Sequence, residues 1–141
     1  MKITTSIQLT AIGLAAAFEL AAAASAADAT SPLPPASTKQ GVTYATDIKP
    51  IFDQSCVKCH SGDKPKARLK LDSLENALKG SKDGKVITPG DSANSLIVKC
   101  VAHTTADHDS WMPPAHNKAN IGPLTPEQIG LIRAWIDEGA K

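Results

Sequence analysis

Four stretches of the chain place apolar residues at helical spacing, and turn-forming or irregular segments separate them. In the first, Ile48, Ile51 and Phe52 fall on one face. Thr46 is a cap for this helix, Asp47 suits the positive end of its dipole, and Pro50 lies early enough to be tolerated. Ser73 caps a second, short helix over Leu74 to Lys79, and Gly80 closes it. Asp91 or Ser92 opens a third that runs through Val101, with Leu96, Ile97, Cys100 and Val101 on its apolar side. The fourth has the strongest start. Thr125 is the cap, Pro126 takes the first helical position and Gln128 completes a capping box. Leu124 and Ile129 are placed as a hydrophobic staple, Ile129, Ile132, Ala134, Trp135 and Ile136 supply the buried side, and Gly139 ends the helix. No run alternates clearly enough to make a sheet, so the pattern predicts an all-α domain.

The connections divide into turns and one long aperiodic stretch. Ser61 to Pro65 reads as a loop, Lys66 to Leu71 alternates basic and apolar residues, and Ser81 to Lys85 and Pro89 to Asp91 read as turns. From Ala102 to Pro123 there is no periodicity, and an irregular segment of that length inside a compact domain usually carries function. Upstream, Lys2 precedes a mostly apolar run from Ile7 to Phe18, and small residues follow to Ala24-Ser25-Ala26. Residues 1–26 therefore read as a cleaved signal peptide, too short in its apolar run to span a bilayer. With no cysteine near the cleavage region to take a lipid, the mature chain is expected to be periplasmic or otherwise exported, without stable membrane insertion. Residues 27–41 are rich in Pro and Ser and read as a linker, which leaves 42–141 for one domain.

The candidate chemistry lies directly after the first helix. Cys56-Val57-Lys58-Cys59-His60 is a C-x-x-C-H run, the attachment pattern of a c-type haem. On a helical turn, residues three apart share a face, so both thiols can reach one porphyrin edge while His60 turns over the metal. Two other readings use the same residues. One is half of a zinc site, completed by Cys100 and one of His103, His108 or His116; the other is a redox dithiol, although no β-α-β pattern surrounds it. The export leader and a second feature favour haem. In the aperiodic stretch lies Trp111-Met112-Pro113-Pro114, and Met112 is the one methionine besides Met1. A thioether is a soft ligand that favours reduced iron, and the two prolines stiffen the backbone that presents it. Met112 is thus the candidate sixth ligand, with the three histidines as alternatives.

Composition changes the picture in two places. Aromatic residues are 4% of the 141, sparse for a domain that must exclude water, so a porphyrin would supply core that the side chains lack. Of the three cysteines, Cys100 is left over, and its place on the apolar side of the third helix suggests a buried, inert thiol. A formal net charge of +1 gives no reason to expect a nucleic-acid partner. Arg68 or Lys70 could pair with a haem propionate.

The haem run together with Met112-Pro113-Pro114 and the C-terminal helix resembles a class I c-type cytochrome. Leu69-Lys70-Leu71-Asp72-Ser73, Pro89-Gly90-Asp91, Ser95-Leu96 and Ala134-Trp135-Ile136-Asp137-Glu138-Gly139-Ala140 are similar to the planctomycete-type cytochrome c domain. The resemblance implies a small all-α cytochrome c-like fold wrapped around one covalently bound haem c. Its N- and C-terminal helices would cross, and one haem edge would be exposed. It assigns Cys56 and Cys59 to the thioethers, His60 to the proximal ligand and Met112 to the distal one. Such domains often belong to larger chains, and this one departs in standing alone and in having Cys100 and three further histidines.

The function expected is a monohaem electron carrier between exported redox partner proteins, not an enzyme by itself. The alternative is a haem peroxidase or the haem subunit of a periplasmic dehydrogenase or oxidase complex. Peroxidase chemistry needs an open or labile sixth site, which separates the two. If the leader is cleaved as its pattern predicts, N-terminal sequencing of the exported protein should begin near Ala27 or Asp28. Recovery of Lys2 in membrane fractions would show a retained anchor instead.

Overall fold

The computed structural model describes residues 33–141, so the expected leader and the first residues of the expected linker lie outside the described residues. Helices carry the architecture. A π-helical turn over Tyr44–Ile48 runs into α1 (Lys49–Ser55), followed by α2 (Leu74–Lys79), α3 (Leu96–Val101) and α4 (Pro126–Asp137), with short 3-10 turns at Lys66–Arg68 and His108–Ser110. Among the described residues there is no strand, and Ser81 and Gly84 form an isolated bridge across a turn. The all-α class read from the pattern is the class observed.

Where element starts differ from expectation, a side chain has been diverted to another partner. The first helix is capped at Thr43, not Thr46, because the Thr43 hydroxyl accepts the Thr46 N–H. Its opening turn is wide, and Pro50, which has no N–H for a regular ladder, follows directly. The third helix starts at Leu96, later than Asp91 or Ser92. Asp91 closes a local turn on Asn94, while Ser92 donates its N–H and hydroxyl to the two oxygens of Asp137 at 2.8 and 2.9 Å. Those groups face α4 instead of a helix of their own. By contrast, the Ser73 cap, the Gly80 stop, the Thr125–Gln128 capping box and the buried side of α4 stand as the sequence pattern predicts.

The core forms where the two ends of the domain cross. Phe52 and Trp135 are fully buried, Tyr44 nearly so, and their rings meet at centroid distances of 5.8 to 6.4 Å in edge-on and tilted arrangements. Such pairs add roughly 0.5–1.5 kcal/mol each beyond the area they bury. The scarce aromatic content is thus concentrated at one crossing. Tyr44 also donates from its hydroxyl to Leu71 O at 3.2 Å, tying this crossing to the strand-like chain that follows the C-x-x-C-H run. Burial first, then the nearby charges of Asp53, Asp72 and Cys56, push the Tyr44 phenol up to about 12, so it remains a donor through the neutral range.

From Leu33 to Gly41, the described part of the Pro/Ser-rich stretch lies along α4. Leu33 packs against the core, Pro34 O accepts from the Arg133 guanidinium, and Ser37 N–H donates to Gly130 O at 2.9 Å. Glu138 then receives the N–H groups of Gly41 and Val42 at 3.1 and 2.9 Å. The close approach depends on Gly130, since a Cβ there would stand 2.8 Å from Pro35 O. A mid-helix glycine costs roughly 0.5–1 kcal/mol relative to alanine, so its presence here calls for a steric reason. Gly130→Ala should therefore destabilise the holoprotein in denaturant titration by about 1 kcal/mol, the backbone clash outweighing the gain in helix propensity. A rise in stability would show that the segment does not depend on this contact.

Candidate cofactor site

The C-x-x-C-H run is wound onto the end of α1. Cys56 and Val57 N–H groups both reach back to Phe52 O, and those of Cys59 and His60 reach Cys56 O at 3.1 and 3.0 Å. This turn brings Cys56, Cys59 and His60 to one wall of a cavity of about 320 Å³, lined chiefly by apolar side chains. The chain then doubles back. Leu71 N–H donates to His60 O at 2.8 Å, which lays Leu69 against the imidazole, and His60 Nδ1 sits 3.3 Å from Leu69 O. A carbonyl only accepts, so Nδ1 carries the proton and Nε2 keeps its lone pair for a metal. Burial pushes the His60 pKa down, keeping the ring neutral. The orienting carbonyl thus belongs to Leu69, beyond the loop from Ser61 to Pro65.

Met112 stands on the same cavity, half-buried, with Pro113 and Pro114 beside it and Leu96, Ile97, Val101 and Leu124 completing apolar walls. The Met112–Pro113 peptide is cis. Asn117 fastens the loop that follows, giving its amide to Pro114 O and Ile121 O and accepting the Ile121 N–H. Nothing in the spacing of an aperiodic stretch announced that role. His103, His108 and His116 do not line the cavity. His103 instead bonds to the Met112 backbone, and both His103 and His108 pack on Trp111.

The other sequence readings sort against this geometry. Among the described residues no three His, Cys, Asp or Glu side chains are gathered as a metal-ion set, so Cys100 and a histidine do not complete a zinc site. Burial, and next the Cys59 charge, push the Cys56 thiol up to about 12, opposite to the lowered value of a reactive dithiol. Cys100 is half-buried on the cavity wall, not shut away in the core. Arg68 and Lys70 do not line the cavity; they border a neighbouring depression with Lys79 and Lys82 that shares Ser81 with it. The exposed Cys59, Asp83 and Asp109 mark where the cavity opens to solvent.

The residues present suit a covalent porphyrin: two thiols three apart, a neutral imidazole with its outer nitrogen free, and an apolar chamber. Comparison with known proteins agrees. Residues 56–116 match the planctomycete cytochrome c family. Among curated proteins, the chain is similar to the fructose dehydrogenase cytochrome subunit of Gluconobacter japonicus, 27% identical over 95 residues. That match covers 67% of this chain and 19% of the relative, so the chain spans about a fifth of the relative's length. No solved structure matches significantly. The chain carries a cytochrome c-type domain whose cofactor is covalently bound haem c.

The cavity of about 320 Å³ is lined by apolar side chains, and water entering it in place of a porphyrin would leave each of them hydrated, at a loss of roughly 1.5–3 kcal/mol for every large side chain so exposed. A few such losses together are comparable to the whole stability of a small domain, about 5–15 kcal/mol. Replacing Cys56 and Cys59 together by alanine should therefore leave little folded protein, checked by circular dichroism. In the wild type, acid-acetone extraction should leave colour and added mass on the polypeptide. Colourless wild-type protein carrying zinc would be the contrary result.

Proposed function

We propose that this cytochrome c-type chain is a monohaem carrier of single electrons between exported redox proteins, with its iron held by His60 and Met112. One observation carries the reading: Cys56, Cys59, His60 and Met112, from segments more than fifty residues apart in sequence, line one apolar cavity. Haem supplies a one-electron couple when bound. The chain's own residues do the rest. Cys56 and Cys59 anchor, His60 is oriented through Leu69 O, and the apolar walls limit water. Met112, as the second protein ligand, would favour the reduced state and would leave no position for a substrate. In this reading residues 1–26 direct export and 42–141 form the carrying domain.

The relative's description as a cytochrome subunit of fructose dehydrogenase favours a more specific role. The carrier would take electrons from a dehydrogenase, either as a separate protein or within a complex. No helix among the described residues is long and apolar enough to cross a membrane.

Met112→Ala distinguishes the carrier from a peroxidase-like centre. It should remove the sulfur-to-iron charge-transfer band, speed cyanide binding and lower the reduction potential by on the order of 100 mV, within the roughly 0.8 V that axial ligands span. Met112→His should keep six ligands and still lower the potential. An unchanged spectrum and potential in Met112→Ala would point to one of His103, His108 or His116, and alanine replacement of each would identify it.

A further inference from the structure

Met112 is fastened through both polar groups of its backbone. Its N–H donates to Cys100 O at 3.0 Å, and its carbonyl lies 3.2 Å from His103 Nε2. Both partners come from the end of α3, where Ala102 caps the helix and His103 follows in a left-handed conformation with φ of 56°. That conformation is unusual for a residue with a side chain. It turns the imidazole back toward the Met112 segment. There the ring lies parallel to the Trp111 indole, 1° between planes and 4.9 Å between centroids. Trp111 is itself held, its Nε1–H donating to Thr105 O at 3.1 Å and His108 packing on it at 4.1 Å. Since the Met112 carbonyl can only accept, His103 Nε2 carries the proton in this bond.

We propose that His103 is a positioning residue for the distal ligand, its ring N–H, aimed by the stack on Trp111, keeping Met112 on the cavity wall in both oxidation states. This rests on the reading of Met112 as a ligand. The need is physical: a thioether favours reduced iron, so the sulfur is the weaker hold when iron is oxidised. How often it leaves then depends on how freely its backbone can move. Two hydrogen bonds, one given by the Met112 N–H and one received by its carbonyl, fix the Met112 backbone, and His103 is the side-chain member that substitution can remove.

The test uses the oxidised holoprotein with cyanide at saturating concentration, where binding is limited by departure of the sulfur. His103→Phe keeps a flat ring for Trp111 and removes the donor; His103→Gln keeps a donor. His103→Phe should bind cyanide about tenfold faster and weaken the charge-transfer band, as expected for one lost net hydrogen bond. His103→Gln, whose amide N–H can donate to the same carbonyl, should stay within about twofold of wild type. Thermal unfolding provides the control for general destabilisation, and His103→Leu is the second donor-free variant should the phenylalanine fail to fold. Wild-type rate and band in the donor-free variants, or equal acceleration in His103→Gln, would overturn the proposal. Met112→Ala, run in the same series, separates the two readings. If it changes band and rate while His103→Phe does not, only the positioning role falls; if it changes neither, both fall.

Discussion

The contact on which the rest of the molecule depends is the crossing of Tyr44 and Phe52 with Trp135. Three of the few aromatic rings meet there, and the crossing fixes the direction in which α1 leaves the core. The thiol and imidazole side of the cofactor site hangs from the last turn of that helix. Cys56 follows Phe52 by one turn and is hydrogen-bonded to it, so a shift at the crossing would be carried directly into the thiol and imidazole positions. Tyr44 extends the same control to the returning chain through Leu71 O, two residues from the carbonyl that orients His60. Packing at one end of the domain thus sets ligand geometry at the other end of a seven-residue helix.

The two sides of the cavity are organised by one principle. On each, an imidazole and a backbone carbonyl are paired, but in reversed roles. Leu69 O steadies the His60 ring, which lines the cavity; Met112 lines the same cavity, and the His103 ring steadies its carbonyl. Each partner lies nine residues from the residue it holds, beyond the reach of helical or turn spacing. Such fine control by groups that never touch iron is what allows a protein to tune a metal it does not chemically alter.

Many local signals in the sequence were read correctly because their physics is local, although the Thr43 cap of the first helix and the Asp91 turn on Asn94 were not among them. The capping box of Thr125 and Gln128, the Ser73 cap and the apolar side of α4 each depend on residues within a turn or two of one another. The C-x-x-C-H run is legible for the same reason. What spacing could not show was tertiary diversion: Ser92 drawn to Asp137, Leu69 O drawn to His60, and Cys100 turned onto the cavity wall. The described part of the Pro/Ser-rich stretch belongs to the same class. Composition reports its lack of periodicity, but its docking depends on a glycine ninety-odd residues away. The roles of Asn117 and His103 were equally hidden, because an aperiodic stretch gives no register from which to place a side chain.

The bonds from Gly41 and Val42 to Glu138, and from Tyr44 N–H to Lys141 O at 3.2 Å, place residues 41–44 beside residues 138–141. A unit whose entry and exit meet behaves as a cassette: it can be spliced between two parts of another chain without stretching or unwinding either. Repetition in tandem requires only short tethers, and each copy would keep its own crossing and chamber. Modularity of this kind makes the number of redox centres in a polypeptide a matter of duplication, with no new fold required for each addition.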